Sequence, residues 1–303
     1  MNRRHFIQQS SVAIAATALA GYPAYTGNAK NSPGISITNQ KKKIGLQLYS
    51  LKDDLSKDVD GTLKAIANIG YTSIEPWGYR DGKFFGKTPL DFKNQLADLG
   101  MKITSSHTGF GVYQTDTTES WDAVKKNMED HRITGTKWII QASYPGTRFT
   151  TLDEVKKLAD TLNRIGELAK SFGLKFAYHN HTEEFRTIER QIPYQKYLEL
   201  TDKTLVFFQM DIGHVANAMC DYVGYLLAYP GRFANLHIRD TDVITKKATE
   251  YGKGNVRFKE VFDLFDHAGV EDYYVEQEGY DFEPIVSVKN CYDYLTAADY
   301  VKW

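Results

Sequence analysis

Phe172-Gly173-Leu174-Lys175-Phe176-Ala177-Tyr178-His179 is the stretch from which the fold is read. Glycine at 173 marks a helix stop, because the residue that follows a helix often takes a positive φ. The run after it is short, rich in apolar residues and ends on an imidazole, which predicts a buried strand delivering a side chain to a rim. Upstream, Leu152, Val155, Leu158, Ala159, Leu162, Ile165, Leu168 and Ala169 recur at three- and four-residue spacing. That spacing predicts one long helix with a single apolar stripe.

The same unit recurs along the chain. Ile69-Gly70 leads to Glu75, Leu99-Gly100 to His107, Thr134-Gly135 to Gln141, Pro230-Gly231 to His237 and Ala268-Gly269 to Glu276. Val261, Phe262, Leu264 and Phe265 predict a further helix before Gly269. Strand then helix, repeated about every 30 residues, is the pattern of parallel βα units. Strands are expected at 43–50, 72–75, 102–107, 137–141, 174–180, 205–211, 233–238 and 273–277. Eight such strands close a (β/α)8 TIM barrel, and residues 43–303 approach the ~250 residues that fold takes. A doubly wound sheet would need a glycine-rich phosphate turn after the first strand, and Ile44-Gly45-Leu46-Gln47-Leu48-Tyr49-Ser50 has none.

Residues 1–20 read as a twin-arginine-type signal peptide: Arg3-Arg4, an uncharged apolar run at 12–20, and Ala18-Leu19-Ala20 before Gly21. Residues 21–42 read as a linker, and 43–303 as the single barrel domain. The expected location is the periplasm. A disulfide is permitted there, but Cys220 and Cys291 fall in elements too far apart for a bridge's Cα separation of ~4.4–6.8 Å, so two free thiols are expected. The chain is 303 residues long and 42% hydrophobic, enough for one large core. Its formal net charge of -1 leaves no electrostatic footprint for nucleic acid or an anionic membrane. No apolar run approaches the ~20 residues of a spanning helix. A homo-oligomer is compatible with this composition.

Four apolar runs end on metal-type donors: His179, Asp211, His237 and Glu276. On consecutive barrel strands these ends converge at one rim, where such barrels keep their chemistry. One His at a strand end is ordinarily structural; four donors together predict one divalent ion, Mn, Mg, Co or Zn. Alternation sends His179 inward and Asn180 outward, while His181 follows in the rim loop. His179 is taken as the ligand, with His181 the alternative. His181 and Glu184 are placed facing substrate or behind the ligands. His214, three residues after Asp211, is placed on substrate or as the group orienting Asp211. Arg239 and Asp240 are either a surface ion pair or substrate contacts. Gln141 and Lys253 are further substrate-binding candidates. Trp77, Tyr79, Phe84, Phe85, Phe110, Tyr113 and Tyr144 are rim aromatics suited to sugar rings.

Taken together, Gly45-Leu46-Gln47-Leu48-Tyr49-Ser50, Ile74-Glu75-Pro76, His179-Asn180-His181, Asp211-Ile212-Gly213-His214, His237-Ile238-Arg239-Asp240, Gly252-Lys253-Gly254-Asn255 and Val275-Glu276-Gln277 resemble the sugar phosphate isomerase/epimerase family. These are xylose isomerase-like TIM barrels, related to inosose dehydratases and AP endonucleases. The resemblance runs from Ile44 to about Tyr280. It implies a divalent-metal site at the strand ends and proton transfer next to a sugar carbonyl, with Asp211, His237 and Glu276 as ligands. This chain departs from the family at His179, where many epimerases ligate through a glutamate, and at Lys253, where an acidic residue is common.

The chemistry expected is loss of a proton next to a carbonyl through a metal-stabilised enediolate. Glu276 or Glu75 would act as base and His107 or His181 as acid. Reprotonation gives a sugar isomerase or epimerase, the first expectation; loss of a β-substituent gives a lyase or dehydratase of a keto-glycoside or inosose. A non-catalytic exported carbohydrate-binding barrel is the third. Arg148, Arg186, Lys253 and Arg257 make no evident phosphate cradle, so a non-phosphorylated small-molecule carbohydrate is expected. An AP endonuclease-like phosphodiesterase would want a fuller zinc set than Asp240-Thr241-Asp242 offers.

Overall fold

A computed structural model describes residues 43–113, 115–142 and 150–301. The signal peptide and linker expected at 1–42, and the candidates Tyr144 and Arg148, lie outside the described residues. Eight parallel strand positions follow the chain: β1 Gly45–Gln47, β2 Ser73–Glu75, β3 in two pieces at Lys102–Ile103 and Ser105–Thr108, β4 Trp138–Gln141, β5 Lys175–His179, β6 Val206–Asp211, β7 Asn235–Ile238 and β8 Asp272–Val275. Each pairs with its sequence neighbour, and β1 pairs with β8, as a barrel requires.

β3 is where the continuous strand expected at 102–107 breaks. Its first piece pairs with β2 and its second with β4. Thr104 between them accepts from both Lys137 N and Trp138 N at 3.2 Å, which is the two-on-one geometry of a bulge. His107 N donates to Pro76 O at 2.8 Å and closes the wall on the β2 side. β1 is also shorter than expected: the Gln47 side chain accepts from Tyr49 N at 3.1 Å and turns the chain into a 3-10 turn at Leu48–Leu51.

Helices return the chain between strands. The one expected from the apolar stripe runs Leu152–Ser171 and starts with a capping box in which Thr151 and Glu154 exchange hydrogen bonds. The one expected before Gly269 is split into Phe258–Asp263 and Phe265–Ala268. The glycines read as helix stops, 70, 100, 135, 173, 231 and 269, all have φ between +72° and +121°.

The two faces of each strand feed two apolar clusters. Phe176, Tyr178, Val206, Phe208 and Met210 face the helices, whereas Trp138, Ile140, Ala177, Ala234 and Phe207 form a separate plug. Along β5 and β6 that alternation turns Ala177 and His179, and Phe207, Gln209 and Asp211, away from the helix-facing cluster. Gly45 is glycine because a Cβ there would lie 2.5 Å from the ring of Tyr274. Cys220 and Cys291 are free thiols, and no helix among the described residues is long and apolar enough to cross a membrane.

Candidate active site

His179, Asp211 and His237 are the last or near-last residues of β5, β6 and β7, and Glu276 follows β8 directly. Register brings them level: Asp211 pairs with His237, His179 with Gln209, and Glu276 N donates to Ile238 O at 3.1 Å. One donor atom from each of the four lies within 4.8 Å of the others, and all four residues are buried. His107 forms a second such group with His179 and His237. Asn180 points the other way and ties β5 to β6 through the backbone of Asp211, at 3.3 and 3.2 Å.

Beneath these donors lies a polar floor. Glu75 is fully buried and its Oε1 accepts from Gln47 Nε2 at 2.7 Å, His237 Nε2 at 2.5 Å and His107 Nε2 at 3.1 Å. Its Oε2 accepts from Gln209 Nε2 at 2.7 Å and from Ser105 Oγ. Burial alone would raise the pKa of this carboxyl, but His107 and His237 outweigh burial and hold it ionised. His237 sits between two carboxylates, with Nδ1 2.9 Å from Glu276 Oε2. Burial opposes its charge; Glu276 and Glu75 prevail and push its pKa up to about 10. Glu276 is lowered by His237 and Arg239 against its own desolvation. His179 and His214 go the other way: burial, reinforced by neighbouring cations, depresses both.

The donor set fits a divalent cation. Asp211 Oδ1 accepts from His214 N at 2.8 Å, while Oδ2 is buried with no hydrogen-bond partner. A buried carboxylate oxygen that accepts no hydrogen bond, set among two imidazoles and a second carboxylate with the Arg239 guanidinium 3.7 Å away, is an arrangement a cation satisfies.

Above the donors opens a pocket of about 400 Å³. His107, His179 and Glu276 reach its base, and Thr108, Gly109 and Ala142 line one side. Tyr49, Trp77 and Tyr79 supply aromatic surface, with Tyr49 edge-on to Trp77 at 5.4 Å. His181, His214, Arg239 and Glu278 complete the wall. Arg239 is buried and ion-paired to Glu278, and its guanidinium lies 3.7 Å from Asp211 and 3.8 Å from Glu276. Its Nη2 donates to the His214 ring, 2.9 Å from Nε2.

Several sequence expectations are corrected. Glu75 is a floor residue and does not line the pocket, so it is no base for substrate. Glu184 is also buried: its oxygens accept from Tyr178 Oη at 2.7 Å and His181 N at 2.9 Å, and so it shapes the rim loop from behind. Gln141 is sealed, with Oε1 accepting from Phe110 N at 3.2 Å. Lys253 is exposed and pairs with Asp281 at 2.8 Å. Asp240 is neither a surface ion pair nor a substrate contact. Its carboxylate accepts from the N–H groups of Thr241 and Val256 at 2.9 and 3.2 Å, and of Gly252 and Gly254 at 2.9 and 3.0 Å. The glycine loop therefore wraps an aspartate, and a Cβ on Gly254 would stand 2.1 Å from Asp240 Oδ1. Among the aromatics, Trp77 and Tyr79 line the pocket; Phe84, Phe85 and Phe110 do not, and Phe84 stacks on Phe92 at 5.5 Å. Tyr113 is outside it as well.

Tyr49, Glu278, Gln47 and Gln209 are site residues that the sequence reading passed over. Glu278 carried a signal: it follows Glu276 by two.

Residues 63–286 match the family model of the xylose isomerase-like TIM barrel. The chain belongs to that family. Among solved xylose isomerase-like barrels, a sugar phosphate isomerase/epimerase from Parabacteroides distasonis ATCC 8503 aligns at 33% identity with a TM-score of 0.77, over 86% of this chain and 100% of that one. An inosose dehydratase of Geobacillus thermodenitrificans is 27% identical over 294 residues, 86% of this chain and 97% of the relative. The IOLI protein, solved with a bound zinc atom, shares the fold at 16% identity and a TM-score of 0.67, over 86% and 98% of the two chains.

Proposed function

We propose that this xylose isomerase-like barrel is a divalent-metal-dependent enzyme that removes the proton next to the carbonyl of a non-phosphorylated sugar or keto-sugar. The observation that carries the reading is the four-residue donor set with the bare Oδ2 of Asp211, at the base of a pocket with aromatic walls. A zinc atom in the IOLI relative supports it. When bound, a divalent cation would polarise the substrate carbonyl and offset the charge that develops as the proton leaves. Glu276, its pKa lowered by His237 and Arg239 and open to the pocket, takes the proton; His181 on the rim gives one to the departing β-substituent in elimination, or to carbon in reprotonation. Trp77 and Tyr49 receive the sugar face. Arg239 is the one permanent cation among the described residues lining the pocket, and Glu278 already holds it. Among the described lining residues a phosphate would find no uncommitted guanidinium or ammonium group, which supports a neutral substrate.

We favour elimination of a β-substituent as the outcome. Epimerisation by two like carboxylates needs one on each face of the carbon, whereas both pocket carboxylates, Glu276 and Glu278, come from the end of β8. Apart from these carboxylates and Arg239, the ionisable groups of the lining that could serve as acid or base near neutral pH are the imidazoles His107, His179, His181 and His214, and the Geobacillus dehydratase is consistent with elimination. Reprotonation, giving isomerisation or epimerisation, is the second reading, supported by the Parabacteroides relative.

The test is incubation of the metal-loaded protein with keto-sugars and keto-glycosides in D₂O. An unsaturated ketone with release of the β-substituent marks elimination. Deuterium at the α-carbon with the skeleton intact marks isomerisation or epimerisation. Neither product, with ligand binding retained after chelation, returns the protein to a carbohydrate-binding role. We place the barrel in the periplasm on the strength of Arg3-Arg4 and the apolar run after it; replacing both arginines with lysine should leave the protein in the cytoplasmic fraction.

A further inference from the structure

The buried floor decides which nitrogen each imidazole offers. Glu75 Oε1 faces Gln47 Nε2, His237 Nε2 and His107 Nε2, and its Oε2 faces Gln209 Nε2 and Ser105 Oγ, so both carboxyl oxygens sit among donors and accept. Gln47 Oε1 is taken by the backbone N–H of Tyr49, which turns the Gln47 amide nitrogen toward Glu75. Gln209 has its own amide nitrogen 2.7 Å from Glu75 Oε2. Reversing that amide would set its oxygen against the carboxylate, so Gln209 Oε1 must face the other way. There it meets two rings at once: His107 Nε2 at 2.6 Å and His179 Nδ1 at 3.0 Å. An amide oxygen only accepts, so both of those ring nitrogens carry hydrogen. His107 Nε2 lies 3.1 Å from Glu75 Oε1 as well, a second acceptor demanding the same proton.

We propose that Glu75 and Gln209 are a positioning pair that locks His179 as the Nδ1–H tautomer and His107 as the Nε2–H tautomer. Resting on the metal-site reading above, the lock leaves His179 Nε2 with its lone pair for the cation and His107 Nδ1 as the basic nitrogen of a pocket-lining ring. His237, donating through Nε2 to Glu75, keeps Nδ1 on the side of Glu276. One carboxylate thus orients three rings, His237 and His107 directly and His179 through Gln209, and lies outside the pocket lining. Carboxylate and carbonyl partners of ligating imidazoles fix tautomer and orientation in this way, and their loss typically costs 10–100-fold in metal affinity.

The test is long-range ¹H–¹⁵N correlation on the metal-free, ¹⁵N-histidine-labelled barrel, with Zn²⁺ affinity from chelator competition measured beside it. In the parent protein His179 should show hydrogen on Nδ1 and a bare Nε2, and His107 the reverse. In Glu75→Gln the Gln209 amide is no longer held by an acceptor-only group; the two rings should become tautomeric mixtures and Zn²⁺ affinity should fall about 10-fold or more. Gln209→Leu removes the shared acceptor and carries the same test should Glu75→Gln fail to fold. Hydrogen on Nε2 of His179 or on Nδ1 of His107 in the parent overturns the proposal, as do unchanged tautomers and unchanged affinity in a folded variant. A parent protein with the derived tautomers and no Zn²⁺ binding upholds the lock and defeats the metal reading instead.

Discussion

Asp211 and His237 stand opposite each other in the β6–β7 register, and Asp211 reaches that position with one oxygen engaged and one bare. His214 N engages Oδ1 at 2.8 Å, which leaves Oδ2 as the oxygen free to meet a cation. Asp211→Asn keeps the shape and can keep the His214 bond, but puts an amide or a neutral oxygen where the bare charge was. Divalent-metal affinity is expected to fall by more than about 100-fold, beyond the loss typical of outer-shell changes, with Tm shifted little. Metal content after dialysis, read beside thermal unfolding, checks it; full occupancy in the variant removes Asp211 from the ligand set.

Asp240 gives a stability prediction. Four backbone N–H groups converge on a carboxylate that is 1% exposed, and the segment from Thr241 to Val256 depends on them. Asp240→Asn replaces one acceptor oxygen with a donor that faces N–H groups. A loss of about 2–4 kcal/mol is expected, since hydrogen bonds to charged groups contribute about 1.5–3 kcal/mol each and do not add fully. Denaturant unfolding at constant m reads it; a cost below ~1 kcal/mol would mean the loop is held by something else.

The contrast between Asp240 and the four donors marks how far the sequence carries. The barrel was legible because its signals are local: a glycine stop such as Gly173, an apolar run, a polar end. The donors were legible as a group because each lies at or beside the end of its own strand. Glu75, Gln47 and Gln209 were not legible as a floor, since their roles depend on the register of β1, β2 and β6 against one another. The break at Thr104 was likewise hidden, being set by Lys137 and Trp138 on the next strand. Asp240 and Lys253 were misplaced because a charged residue beside a ligand looks the same in sequence whether it faces substrate or its own loop.

Trp77 gives a kinetic prediction. It lines the pocket, is 38% exposed and is steadied edge-on by Tyr49 and by Phe85 at 5.9 Å. Its ring contacts are to Tyr49 and Phe85 and not to the donors, so its contribution should be uniform binding. Trp77→Ala should raise KM about 10-fold, as expected for losing ~1.4 kcal/mol of aromatic contact, with kcat within about 3-fold of the parent. A fall in kcat with KM unchanged would place Trp77 in the chemical step.

His131 supplies the pH dependence. It is fully buried behind the β2–β3 wall, with Nδ1 donating to Asn127 O at 2.7 Å and Nε2 accepting from Ser106 Oγ at 2.9 Å. Burial lowers its pKa from 6.5 to about 4, with Asn127 and Asp130 only partly opposing. The unfolded chain therefore binds this proton more readily than the folded one between those two values. Its part of the stability is complete above pH 6.5 and is lost as pH falls toward 4. The loss amounts to about 3 kcal/mol at 1.36 kcal/mol per pKa unit. His131→Gln should be less stable than the parent at neutral pH and should close that gap on acidification. Urea unfolding of both proteins across the window reads the difference directly; parallel curves would mean that the acid sensitivity lies in other groups.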